Sequence, residues 1–100
     1  MLVLVLIILI LETSYFVEDS NKLCSGSGPK TSEECQVAVN KLKIHHEDIE
    51  FIKEELLSDY PPGCYVFSTG TTVHSVYWNS ASYVGRTHPN ARPICNLDGK

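Results

Sequence analysis

The stretch DYPPGCYVF, residues 59–67, places two prolines and a glycine directly before a cysteine and an aromatic and aliphatic run. Pro61 disfavours helical conformations at Tyr60, and Gly63 allows a backbone turn that other residues tolerate only at a cost. The residues from Cys64 onward favour strands. The stretch therefore predicts that the preceding element ends here and that the chain turns into a β-strand.

Two runs after this turn, residues 64–68 and 72–78, are rich in β-branched and aromatic residues. The dipeptide TG at 69–70 lies between them and predicts an antiparallel hairpin. A long loop with Gly, Asn and two prolines follows at 80–93, and a short run at 94–96 would close the sheet.

The length of the hairpin turn decides which side chains share a face of the sheet. A two-residue turn would place Val66 opposite Val73, and Tyr65 across from His74. Tyr65, His74 and Trp78 would then share one face. A slip of one residue would exchange the faces, because side chains alternate along a strand.

Upstream of the turn, TSEECQVAVNKLKI at 31–44 predicts a helix. Thr31 followed by Glu34 matches the capping box, in which each side chain bonds a free backbone donor at the helix start. The apolar face follows the spacing i, i+3, i+4 and i+7, with Cys35, Ala38, Val39 and Leu42.

Residues 45–59 are ambiguous between helix and strand. Ile49, Ile52 and Leu56 keep helical spacing, whereas Ile49 and Phe51 alternating with charges would form a short strand. We favour a second helix here. The expected fold class is therefore α+β, with one or two helices packed on a small antiparallel β-sheet.

The N-terminal run from Leu2 to Leu11 is apolar throughout. It has the length of a signal-peptide core and is too short to span a bilayer, which takes about 20 apolar residues. No Lys or Arg precedes it, and no clean small-x-small cleavage site follows. We expect residues 1–18 to be a signal peptide or an uncleaved membrane anchor, with a buried core segment as a further alternative, and 19–100 to form one domain.

Four cysteines lie in the expected domain, with no CxxC pair and no histidine at ligand spacing. The even count, the wide spacing and the leader favour two disulfides in an oxidising compartment over a metal site. We expect Cys35–Cys64 to tie the helix to the sheet, and Cys24–Cys95 to join the ends of the domain. The other two pairings, Cys24–Cys35 with Cys64–Cys95 and Cys24–Cys64 with Cys35–Cys95, stay open.

The formal net charge of −4 and the absence of a basic run argue against nucleic acid and against a polybasic membrane patch. Membrane contact is expected only through an uncleaved N-terminal segment. The histidines of the HHED run at 45–48 are adjacent, so on a helix they point roughly 100° apart and do not share an ion easily. We expect no metal and no cofactor.

Catalytic chemistry has little support in the sequence. A cysteine nucleophile needs a free thiolate, and all four cysteines are expected to be oxidised. Ser75, His74 or His88, and Asp59 could form a triad only if the fold brought them together, and no nucleophile motif places them. We expect no catalytic residues and no enzyme, with a small hydrolase as a remote alternative.

Aromatic residues supply the candidate binding site. Tyr65, His74, Trp78 and Tyr83, with Arg86 as a polar partner, could stack against sugar rings or peptide side chains. The competing interpretation places Tyr65 and Trp78 in the core.

The loop at 80–93 supplies a different candidate, because it carries Arg86 and Arg92. A loop that presents arginine next to a disulfide is typical of small secreted inhibitors and effectors. A solvated loop with two charges is the simpler interpretation.

Four short motifs carry a family resemblance: EC at 34–35, PPGCY at 61–65, YWN at 77–79 and IC at 94–95. With them the chain, over residues 24–97, resembles a cysteine-containing module seen in predicted proteins of algae and other protists. The resemblance implies an extracellular or lumenal module and transfers no activity. We therefore expect a secreted or membrane-tethered, disulfide-stabilised binding or structural module for an unknown carbohydrate or protein ligand.

Overall fold

A computed structural model describes residues 14–44, 48–68, 74–81 and 86–97. In those ranges the chain forms one helix, α1 (Ser32–Leu42), and five strands: β1 (Tyr15–Val17), β2 (Ile49–Glu55), β3 (Gly63–Phe67), β4 (His74–Asn79) and β5 (Ala91–Asn96). The helix packs on one face of a single sheet whose strand order is β1-β5-β3-β4-β2. The α+β fold class is confirmed.

Helix α1 begins as the capping pattern predicts. The hydroxyl of Thr31 accepts a hydrogen bond from the Glu34 backbone N–H at 3.1 Å. The Glu34 carboxylate accepts from the backbone N–H of Lys30 at 2.9 Å, one residue before the usual capping-box donor. The predicted apolar face is buried, and it consists of Cys35, Ala38, Val39 and Leu42.

The sheet is mixed rather than wholly antiparallel, which corrects the expected topology. Strands β1 and β5, β5 and β3, and β3 and β4 pair antiparallel, but β2 runs parallel to β4. The chain leaves β2 at the sheet edge, skips the position of β4 and enters β3. Because β4 then returns between them, it runs in the same direction as β2.

The prediction of a second helix is wrong, since residues 49–55 form the edge strand β2. Its register against β4 shifts between Phe51 and Lys53, so that Ile52 is an extra, unpaired residue in a β-bulge. Ile49 and Phe51 pack toward the helix. The bulge interrupts the alternation after Phe51, and the interrupted pattern has the spacing of a helix.

The β3–β4 hairpin is antiparallel as predicted, but its register differs from the expected one. Val66 pairs with Val76, and Tyr65 pairs with Tyr77. This register does not fit the expected pairing of Val66 with Val73, and residues 69–73 lie outside the described residues. Val66 was expected opposite Val73 and pairs with Val76, three positions further along. Because side chains alternate along a strand, this odd shift places on one face the β3 and β4 side chains that were predicted to lie on opposite faces.

The core lies between α1 and the sheet, and both predicted disulfides are present. Cys35–Cys64 joins α1 to β3, with 5.5 Å between the Cα atoms. Cys24–Cys95 joins the segment before the helix to β5 at 5.6 Å. Buried side chains from β3, β4 and β5 complete this core, namely Val66, Val76 and Ile94.

Strand β1 belongs to the stretch at 1–18 that the sequence assigns to the leader, and it pairs with the closing strand β5. The apolar run Leu2–Leu11 lies outside the described residues, and its role stays a prediction. Within the described ranges, no helix is long and apolar enough to cross a membrane.

Candidate functional site

The site begins with the connection between β2 and β3, which passes over the end of β4. Asn79, the last residue of β4, is 1% exposed. Its side-chain amide donates to the carbonyls of Leu57 (2.8 Å), Tyr60 (3.3 Å) and Pro61 (3.1 Å). Its carbonyl oxygen accepts from the backbone N–H of Leu57 at 3.0 Å. One buried side chain therefore binds the connection at Leu57, Tyr60 and Pro61.

Gly63 then turns this connection into β3. Its φ is +92°, in the region that favours glycine. A Cβ atom there would lie 4.0 Å from the nearest atom of Trp78, so conformation rather than space requires the glycine. The PPG stretch thus redirects the chain into β3 as the sequence predicts, but it does not end the preceding element, because β2 already ends at Glu55.

The sheet face opposite α1 carries a row of side chains from three neighbouring strands. Tyr65 on β3 pairs with Tyr77 on β4, and Tyr77 pairs with Lys53 on β2. Phe67 follows Tyr65 by two residues and lies on the same face of β3. The cross-strand pairs thus place the rings of Tyr65 and Tyr77 and the ammonium group of Lys53 side by side.

The bulge in β2 decides which of its side chains face this row. Before the bulge, Ile49 and Phe51 point toward the helix. After it, Lys53 and Glu55 pair with Tyr77 and Asn79 and point to the opposite face. A regular strand with the same residues would have turned Lys53 and Glu55 toward the core.

Two further rings come from outside the sheet. Tyr60, on the connection fixed by Asn79, stacks on Tyr65 with 5.9 Å between ring centroids. His88 stacks on the ring of Tyr60 at 4.6 Å and an interplanar angle of 12°. The Nδ1 atom of His88 accepts the backbone N–H of Asn90 at 3.0 Å, which holds this ring in place.

Beside these contacts lies an open groove of about 210 Å³, which we name the aromatic groove. Its lining includes four aromatic and two charged side chains: Tyr60, Tyr65, Phe67, Tyr77, Lys53 and Glu55. Tyr65 forms the floor and is 1% exposed. The other three rings are half-buried, so each keeps accessible surface.

The polar groups of the groove are arranged around Tyr65. Its hydroxyl donates a hydrogen bond to the Oε2 atom of Glu55. Burial raises the pKa of Tyr65, and the hydrogen bond to Glu55 raises the pKa further. The hydroxyl therefore remains a neutral donor that orients the Glu55 carboxylate. The ammonium of Lys53 has no ion-pair or hydrogen-bond partner among the described residues.

The structure separates the side chains that the sequence placed on one binding face. Tyr65 lies in the aromatic groove, whereas Trp78 lies on the helix side and packs against the core. His74 shares the Trp78 side of β4, because the two are four residues apart. Arg86 is exposed, and Tyr83 lies outside the described residues. The prediction that Tyr65, His74 and Trp78 share one face is therefore wrong.

The residues considered for other functions are also dispersed. His74 and Ser75 are adjacent on β4, so their side chains point to opposite faces. The Nε atom of Arg92 donates to the carbonyl of Glu18 at 2.9 Å, so this arginine is tied to the segment after β1. Over the described ranges, no cysteine is free and no group of three or more metal-ligating side chains forms.

The sequence contained only part of the signal for the groove. The alternation of Tyr65 and Phe67 places both rings on one face of β3. Lys53 was obscured by the bulge, and Tyr60 lies on an irregular connection that the buried Asn79 binds.

Comparison of the chain with protein-family models, curated proteins and solved structures found no match.

Proposed function

We propose that the protein is a secreted or lumenal binding module, or one tethered by residues 2–11, and that the aromatic groove is its ligand site. The observation that carries this proposal is the position of the groove. Its rings lie on the sheet face opposite the helix, whereas the main apolar cluster lies between the helix and the other face.

The composition of that face supports a binding role. A largely antiparallel sheet with one face on the core usually presents polar residues on the other face. Here the outer face of β3 and β4 carries three aromatic rings instead, of which Phe67 and Tyr77 keep exposed surface above the buried Tyr65. Tyrosine is enriched at binding surfaces because its ring offers apolar area and its hydroxyl a polar contact.

The dimensions of the groove limit what it can bind. Pockets for drug-sized molecules measure about 300–1,000 Å³, and this groove has about 210 Å³. It accommodates one ring-sized group, either a small ligand or one unit of a larger glycan or protein.

The scaffold fits an oxidising compartment, because its two disulfides persist outside the cytosol. The leader supplies a direct test of the compartment. A reporter fused to residues 1–18 should leave the cytosol in a secretory host, and a reporter that stays cytosolic and soluble would contradict the secretion proposal.

The binding proposal is tested with the oxidised full chain on a glycan array and on a displayed peptide library. Tyr77→Ala removes one accessible wall of the groove, and Gln36→Ala changes an exposed helix residue on the other side as the matched control. We expect selected ligands to bind Tyr77→Ala at least tenfold more weakly and Gln36→Ala normally. Ligands that bind all three proteins equally, or no ligand at all, would refute the proposal.

A further inference from the structure

We propose that the aromatic groove binds one uncharged hexopyranose unit, so that the ligand is a neutral glycan. This inference rests on the proposed binding function and names its ligand class. Three properties of the groove carry it: its volume, the combination of rings with polar groups, and its balance of charge.

The volume suits a single six-membered sugar ring. The 210 Å³ of the groove correspond to about seven water molecules at roughly 30 Å³ each. A hexose displaces a comparable amount of water. A tryptophan side chain has a similar size, but its indole offers one N–H donor and no acceptor for Lys53.

The surface chemistry matches the two kinds of surface on a pyranose. One face of such a ring consists of C–H groups, which pack against aromatic rings, and the half-buried Phe67 and Tyr77 offer that contact. The periphery of the sugar consists of hydroxyl groups, which both donate and accept hydrogen bonds.

Lys53 and Glu55 supply the complementary donor and acceptor. They lie two residues apart on β2 and point into the groove from the same wall. The Lys53 ammonium and the Oε1 atom of Glu55 have no partner among the described residues. Adjacent sugar hydroxyls can therefore accept from Lys53 and donate to Glu55.

The balance of charge disfavours ionic ligands. Aromatic rings beside a carboxylate would suit a quaternary ammonium group, but such a cation would meet the Lys53 ammonium in the same groove. A carboxylate ligand would in turn meet Glu55, whose position is fixed by the hydroxyl of Tyr65. A neutral polar ring satisfies both charged groups without repulsion.

The test is an NMR titration of the ¹⁵N-labelled, oxidised full chain with the methyl glycosides of glucose, galactose and mannose. Choline and glucuronate serve as charged probes of similar size. We expect at least one neutral glycoside to bind with a Kd in the millimolar range and to shift amide signals of β2, β3 and β4 around the groove. Stronger binding of choline or glucuronate would overturn the inference.

Variants assign the contacts. Lys53→Met and Glu55→Gln should each weaken the glycoside at least fivefold, whereas Glu54→Gln, on the opposite face of the same strand, should leave the Kd unchanged. If no glycoside binds while a library peptide binds in a Tyr77-dependent manner, the hexopyranose inference falls and the binding function stands. If the binding of neither sugars nor peptides depends on Tyr77, both the hexopyranose inference and the proposed binding function fall.

Discussion

Asn79 is the single residue on which most of the connection between β2 and β3 depends. Its amide is buried, and its donors and acceptor bind Leu57, Tyr60 and Pro61. This contact links the PPG stretch, through the carbonyl of Pro61, to the last residue of the YWN motif. The proline-rich stretch crosses the end of β4, where the side chain of Asn79 donates hydrogen bonds to its carbonyls.

We predict that Asn79→Ala lowers the free energy of unfolding by about 3 kcal/mol, because each buried partner left unsatisfied costs roughly 1–3 kcal/mol. Urea unfolding followed by circular dichroism measures the loss. Ser80→Ala is the matched control, since it removes only an exposed bond to the Glu55 carbonyl at 3.2 Å and should cost under about 1 kcal/mol. Equal effects of the two substitutions would show that Asn79 does not organise the connection.

Tyr65 gives the fold a dependence on alkaline pH. Burial raises its pKa in the folded protein above the value of about 10 that tyrosine has in an unfolded chain. The unfolded chain therefore loses this proton at a lower pH than the folded protein. Stability from this group is unaffected below about pH 10 and falls above it, by up to about 1.4 kcal/mol per pH unit.

We predict that Tyr65→Phe reduces this alkaline loss, although the variant is less stable at neutral pH because Glu55 loses its donor. Urea unfolding of both proteins between pH 8 and pH 11 separates the two effects. The comparison cancels contributions from the other tyrosines and the lysines. Parallel stability curves for Tyr65→Phe and the parent would contradict the assigned environment of Tyr65.

At the scale of elements, the bulge in β2 distinguishes this strand from a helix. Ile52 is unpaired and 45% exposed, so removing it restores regular pairing of Phe51 and Lys53 with β4. We predict that deletion of Ile52 changes the free energy of unfolding by less than about 1 kcal/mol, since loss of an exposed side chain is usually a small effect.

Deletion of Gln36 is the control for a regular helix. It turns every following side chain of α1 by about 100° and so removes Val39 and Leu42 from the core. Circular dichroism and urea unfolding should show a folded Ile52 deletion and a strongly destabilised Gln36 deletion. An Ile52 deletion that loses cooperative unfolding would contradict the bulged strand.

The elements differ in how far their sequence determines them. Helix α1 is predictable because the Thr31 cap and the apolar stripe indicate the same element. Strand β2 is not, since a bulge at one residue converts strand alternation into helical spacing. The β3–β4 register depends on a connection whose length the TG dipeptide does not reveal. The groove could not be predicted because its lining depends on both the β2 bulge and the β3–β4 register. Among its lining residues, only Tyr65 was a candidate from the sequence.

At the scale of the whole molecule, the two disulfides connect parts of the chain that the sheet alone does not hold together. Cys35–Cys64 fastens α1 to the central strand β3, directly behind the face that carries Tyr65. Cys24–Cys95 fastens the segment before the helix to β5. Their sequence separations of 29 and 71 close most of the described domain into two loops.

We predict that either bridge decides whether the domain folds. In the chain-entropy model, closing loops of these lengths stabilises by about 3.6 and about 4.4 kcal/mol, and a core this small rarely supplies more than about 3–5 kcal/mol. The double variants Cys35→Ser/Cys64→Ser and Cys24→Ser/Cys95→Ser should therefore each be largely unfolded at 37 °C, as should the parent after reduction. Thermal unfolding with and without a reductant measures this dependence, and a non-reducing peptide map checks the pairing.

Because the aromatic groove is built on β3 and its neighbours, ligand binding should disappear with the fold. A reduced chain that keeps its melting temperature, or a linked peptide joining the Cys24 and Cys35 segments, would contradict this architecture.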